Sequence, residues 1–263
     1  FNAPSMTTPK GNGLKRSRPA RSMDEVVASA PGKVVLFGEH AVVYGHPAIS
    51  ASISQRTTVS VRALDEPGLH LNQMKVNHAR HPHLTSLVHR LWDDSVAKGV
   101  DVSVQSDVPR GAGLGSSAAF AVASATALRA ASGRWVDADT GAWHEGYPSD
   151  GSEVGLFEGE ARESLRTDTS VRVHGQAAVS AEEASLLGHV GEALSQEGRA
   201  SPMDTMTSAY GGLVMLSNRV EDESTWVMKR TMPMGDEQRT WDLHHLGKFH
   251  LEDGLSLVVG HTG

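Results

Sequence analysis

Pro109-Arg110-Gly111-Ala112-Gly113-Leu114-Gly115-Ser116-Ser117-Ala118-Ala119 is the stretch that decides how this chain is read. Three glycines alternate with small or apolar residues, and two serines then open an alanine-rich run that predicts a helix through Ala131. Glycine admits positive φ and lets a ligand approach the backbone closely. The first turn of a helix presents unpaired N–H groups and the positive end of the helix dipole. Together these features describe an anion site, and phosphate is the usual anion. The run is not a Walker A loop, because no Gly-Lys-Ser/Thr follows. It is not the Gly-x-Gly-x-x-Gly dinucleotide fingerprint either, because its third glycine comes one residue early. Taken alone, it is also compatible with a glycine-rich turn before a buried helix.

A second run shifts that balance. Ser29-Ala30-Pro31-Gly32-Lys33-Val34-Val35-Leu36-Phe37-Gly38-Glu39-His40-Ala41-Val42-Val43-Tyr44-Gly45 sets a lysine, a glutamate and a histidine around a short apolar strand. A third stretch, Gly198-Arg199-Ala200-Ser201-Pro202-Met203-Asp204-Thr205 followed by Ser208-Ala209-Tyr210-Gly211-Gly212, places an aspartate ahead of a glycine pair. In order and rough spacing the three resemble the motifs of the GHMP kinases, named for galactokinase, homoserine, mevalonate and phosphomevalonate kinases. Gly-Glu-His-Ala-Val-Val-Tyr-Gly is most similar to the mevalonate kinase branch, and the compact layout resembles its archaeal members. The resemblance covers about residues 26–136 and 181–263.

The resemblance implies transfer of the ATP γ-phosphate to a small alcohol, mevalonate above all, with Mg²⁺. Pro109, Gly111, Ala112, Gly113, Leu114, Gly115, Ser116 and Ser117 would bind the nucleotide. Ser116 is the implied Mg²⁺ ligand, with Ser117 a second candidate. The family's carboxylate ligand precedes its catalytic aspartate by a separation that lands here on Ala193. Glu192, one residue away, is chosen over Glu197. Asp204 is the implied base and Lys33 the cation that neutralises developing charge. Locally, Ser201-Pro202-Met203-Asp204 also fits a helix cap. Lys33, Glu39, His40 and Asp204 form the expected substrate site: His40 can donate to a carboxylate and Glu39 can accept from a hydroxyl.

Composition sets the bounds. The chain has 263 residues, a net charge of −7, 39% hydrophobic residues and no cysteine. The acidic balance argues against a nucleic-acid-binding surface. The lack of cysteine excludes disulfides and thiolate metal sites. No apolar run has the length of a membrane span, and a cytoplasmic protein is the expectation. A homodimer is implied by the resemblance.

The expected fold class is α+β, and the resemblance narrows it to the GHMP kinase fold. That fold comprises an N-terminal domain like domain 2 of ribosomal protein S5 and a C-terminal α+β domain, here incomplete because nothing after Asp204 matches the family's third glycine-rich motif. Residues 1–22, basic and proline-broken, are expected to be a disordered tail. Residues 23–136 form the nucleotide-binding part, 137–180 an atypical insertion, and 181–263 the segment carrying the aspartate. Predicted strands are Val34–Phe37, Thr57–Leu64, Val100–Gln105, Val171–Val173, Leu213–Leu216 and Leu255–Val259. Helical spacing is found over His83–Lys98 and Ala181–Gln196. His78, His81, His83 and His89 read as a solvated loop rather than a metal site, because Pro82 interrupts them. His244-His245 reads as surface.

Overall fold

The computed structural model describes residues 25–39, 44, 46–76, 81–92, 97–132, 134–136, 143–145, 172–174, 179–195, 200–234, 237–248 and 258. Two long strands organise it. β1 (Val26–Phe37) runs antiparallel to β2 (Ala48–Leu64), in register from Val26 opposite Val61 to Phe37 opposite Ile49. The strand β2 is half-buried and alternating, with Thr57, Val59 and Val61 turned inward, as a one-sided sheet requires.

The other edge of β2 is shared end to end by two partners. β5 (Gly99–Ser106) pairs antiparallel along Thr57–Leu64, and β9 (Leu213–Ser217) along Ala48–Ala51. Beyond β5 lie β3 (Gly68–Leu71), parallel to it, and β4 (Met74–Lys75). Beyond β9 lie β11 (Glu237–Gly247) and β10 (Trp226–Met234). β8 (Arg172–His174) covers the outer edge of β1, and β6 (Arg134–Val136) pairs with β7 (Trp143–Glu145) in a separate two-stranded sheet.

Four helices are described. α1 (Pro82–Leu91) turns Leu84, Leu87 and Leu91 inward, the spacing of one helical face. α2 (Ser116–Ser132) is buried along almost its whole length, because it lies between β1 and β2 on one side and α1, α3 (Ala181–Ser195) and α4 (Met203–Tyr210) on the others. Alanine suits such a helix, since small side chains let neighbours close in from every direction. The approach of α3 is so close that a β-carbon on Gly188 would come 2.7 Å from Val122 Cγ2.

The observed elements exceed the predicted ones. β1 begins at Val26 rather than Val34, and β2 at Ala48 rather than Thr57. Pro82 occupies the first turn of α1, after His81 at the cap, so His83 and His89 lie on a helix that ends at Leu91 rather than Lys98, while His78 lies outside the described residues. There its missing N–H costs nothing. Within the expected insertion, β8 pairs with β1, Val179 is buried, and the Ser180 hydroxyl accepts from the Glu183 N–H at 3.0 Å at the head of α3. Residues 172–174 and 179–180 are therefore parts of the sheet and helix packing. Leu255, Ser256, Leu257 and Val259 of the expected last strand, and residues 1–22, lie outside the described residues.

Candidate functional site

Gly111, Gly113 and Gly115 all take positive φ, at 71°, 72° and 70°, the left-handed conformation that L side chains resist. The alternation expected from sequence is thus an alternation of backbone hand, and it delivers the chain to the first turn of α2. The loop is anchored on β1. Lys33 N–H donates to Leu114 O at 2.9 Å. A β-carbon at Gly32 would come 2.7 Å from that same oxygen, and one at Gly115 would come 2.6 Å from Lys33 Cγ. Both glycines are required by close approach, and both hold the lysine stem against the loop.

Lys33 sits just past an irregularity in β1 between Pro31 and Lys33. Its side chain is buried (7% exposed), and its Nζ lies 3.0 Å from Asp204 Oδ2, whose side chain is 31% exposed. Asp204 is in the first turn of α4. The residue at the helix cap is Pro202, which makes no side-chain capping bond, so the capping alternative for Asp204 is not the observed geometry. The α4 helix is pinned to β2. Thr207 Oγ1 donates to Met203 O at 2.8 Å, so its bond to Ser50 Oγ must be donated by the serine.

Glu192 is buried near the end of α3. Burial pushes its carboxyl up to about 7, with the nearby Asp204 charge adding to the rise, while a hydrogen bond from Ser117 and the Lys33 charge oppose it. The structure thus brings together Lys33, Asp204, Glu192, Ser117 and the glycine loop. Two carboxylates face one lysine, a donor set short of positive charge. A divalent cation taking one or two carboxylates, a hydroxyl and phosphate oxygens fits that set. Among the described residues no group of three or more acidic or histidine side chains could hold a metal alone.

Other expected site residues fall elsewhere. Glu39 is exposed in the turn after β1. His40 and Glu197 lie outside the described residues. His83, assigned from sequence to a solvated loop, is half-buried on α1, with Nε2 3.2 Å from Ser117 Oγ. Burial lowers its pKa. Recognising Pro82 as a helix start would have exposed this residue. His244 is not on the surface either; it is fully buried, bonded to Thr225 and to the Glu221 N–H.

Parts of the chain are similar to known families and proteins. Residues 82–142 match the GHMP kinases N terminal domain, and residues 19–63 match a galactokinase galactose-binding signature. The chain is 43% identical over 107 residues to the mevalonate kinase of Archaeoglobus fulgidus, covering 40% of this chain and 38% of that one. It is 32% identical over 198 residues to the mevalonate kinase of Methanothermobacter thermautotrophicus, covering 73% and 50%. Among solved structures, the Methanococcus jannaschii mevalonate kinase shares 23% identity with a TM-score of 0.47, over 73% of this chain and 53% of that one. The chain spans half or less of the length of these two curated relatives. Among the described residues no helix is long and apolar enough to cross a membrane. By its three ordered motifs and these sequence matches, the chain belongs to the GHMP kinase family.

Proposed function

We propose that the protein transfers the γ-phosphate of ATP to a hydroxyl of mevalonate. The observation that carries this reading is the Lys33–Asp204 pair beside the glycine loop: a buried cation against a carboxylate that remains partly open. The N–H groups of Gly111–Gly115 and of the first turn of α2 hold the polyphosphate. Asp204 accepts the proton of the substrate hydroxyl as its oxygen bonds to the γ-phosphorus and the bond to ADP breaks. Lys33 steadies the Asp204 carboxylate and screens the charge that grows on the transferred group. Glu192 with Ser116 or Ser117 would hold Mg²⁺, which when bound neutralises phosphate charge. Glu39 and His40 are assigned to recognition of the substrate hydroxyl and carboxylate.

Similarity to mevalonate kinases supports mevalonate as the acceptor, and so does the resemblance of Gly38–Gly45 to that branch of the family. The galactose-binding signature matched over 19–63 favours a second reading, a sugar acceptor. ADP release with mevalonate, phosphomevalonate, homoserine and galactose decides between them. Preference for mevalonate is expected, and preference for galactose overturns it. Mg²⁺·ATP binding without turnover of any alcohol would leave a nucleotide-binding protein.

A further inference from the structure

His83 has no place in the motifs that identify the family, yet the fold ties it to the phosphate end of α2. Pro82 starts α1 with its φ already set for a helix, and the buried leucines Leu84, Leu87 and Leu91 seat that helix against α2 and α3. The first turn of α1 then lies over the first turn of α2. His83 Nε2 is 3.2 Å from Ser117 Oγ, and Ser117 bonds Glu192, which lies in the field of Asp204 and Lys33. A single hydroxyl therefore separates the histidine from the charged cluster.

Counting protons gives this contact a direction. A serine hydroxyl has one proton and two lone pairs, and in the ionised form of Glu192, the form that can hold a cation and the one the Ser117 hydrogen bond favours, the carboxylate can only accept. The Ser117 proton that serves Glu192 is not available to His83. The His83–Ser117 bond must then be donated by the imidazole, from Nε2. In the opposite tautomer, the bare Nε2 would draw the serine proton away and Glu192 would lose its donor.

We propose that His83 is a positioning residue for phosphoryl transfer: its Nε2–H donates to Ser117 Oγ, aims the serine proton at Glu192 and leaves one serine lone pair for the nucleotide-bound cation. This rests on the kinase reading of the site. The role is a neutral hydrogen bond and needs no change of charge on the ring.

His83→Phe keeps the ring and removes the donor, and His83→Gln restores an N–H at similar reach. In the phenylalanine variant kcat with mevalonate should fall about tenfold, the value of one well-placed hydrogen bond. KM for mevalonate should hold. Calorimetry of ATP binding with and without Mg²⁺ gives a second readout. The Mg²⁺-dependent gain in affinity should shrink about fivefold, while affinity without metal stays the same. The unfolding midpoint should stay within about 2 °C. His83→Gln should recover most of both losses.

A full Mg²⁺-dependent gain in His83→Phe overturns the proposal. So does a glutamine variant no better than phenylalanine, which would mark a packing contact only. If no alcohol is phosphorylated by the unsubstituted protein, the kinase reading fails while the binding comparison still decides His83. Absence of Mg²⁺-dependent ATP binding in the unsubstituted protein overturns both.

Discussion

The two ends of the α2–α3 pair are built from similar parts and do different things. Near the last turn of α2, Arg129 pairs with Glu183 from the start of α3, and both side chains are almost fully buried, at 3% and 1% exposure. Near the first turn of α2, Ser117 meets Glu192 from the end of α3, beside a Lys33–Asp204 pair whose carboxylate is partly open. The helices run antiparallel, so one packing interface carries a charge-matched seal at one end and a cluster with an excess of acid at the other. A buried pair with opposite charges on both partners suits a place where nothing binds. An unbalanced cluster beside a row of backbone N–H groups suits a place that awaits a polyphosphate and its cation.

Removing one partner at the sealed end should have the largest effect. Arg129→Met strands a buried carboxylate and should cost about 3–5 kcal/mol of stability in denaturant unfolding, whereas Arg129→Met with Glu183→Leu should return most of it. Equal loss in the single and double variants would break the contrast between the ends. The next effect lies midway along α3, at His189. Its Nε2 donates to Ala200 O, its Nδ1 is buried without a partner among the described residues, and burial lowers its pKa from 6.5 to about 4. A neutral ring is favoured in the folded state, so the unfolded chain binds the extra proton first. Stability from this group is complete above about pH 6.5 and lost as pH falls through about 4, by about 3 kcal/mol at most. His189→Gln should flatten that part of the stability–pH curve, and an unchanged curve would sink the assignment.

At the open end the loss should appear in rate, not stability. Asp204→Asn keeps the shape and removes the proposed base, and should lower kcat by roughly a hundredfold or more while ATP binding persists. Undiminished turnover would refute the base assignment. The smallest effects separate the two serines. Ser117→Ala should weaken the Mg²⁺ dependence of ATP binding about tenfold, and Ser116→Ala by less than about threefold. The reverse ranking would move the cation to the other hydroxyl.

Legibility in the sequence followed how local each signal was. The glycine loop was legible because alternating positive φ leaves glycine almost no substitute, and all three positions adopt it. The α2 helix was legible from its alanines, ending at Ser132 against an expected Ala131. Strands β10 and β11 went unseen, since they are held by pairing with each other and with β9, a long-range preference that local alternation carries weakly. His83 was misassigned because one proline reads as a break or as a beginning, and only the packing of Leu84, Leu87 and Leu91 makes it a beginning. Spacing prefers Glu192 to Glu197 although the family's usual separation falls on Ala193, and the burial of Glu192 beside Asp204 and Lys33 is a property of the packing that no local signal carries.

By itself, the sequence determined the family, the α+β class, the glycine loop with its helix, and the set of charged residues in the three motifs. These depend on residue types in short runs, where backbone conformation and helix-end chemistry act over a few positions. Only the tertiary structure decided which members of that set meet. Lys33 and Asp204 are 171 positions apart, and Ser117 and Glu192 are 75 apart. They come together because β1 and β2 support α2 and α4, and because α3 runs back along α2 close enough to require Gly188. Which end of that helix pair is sealed and which stays open follows from side-chain burial and charge balance, and both are properties of the packed helices rather than of either helix alone.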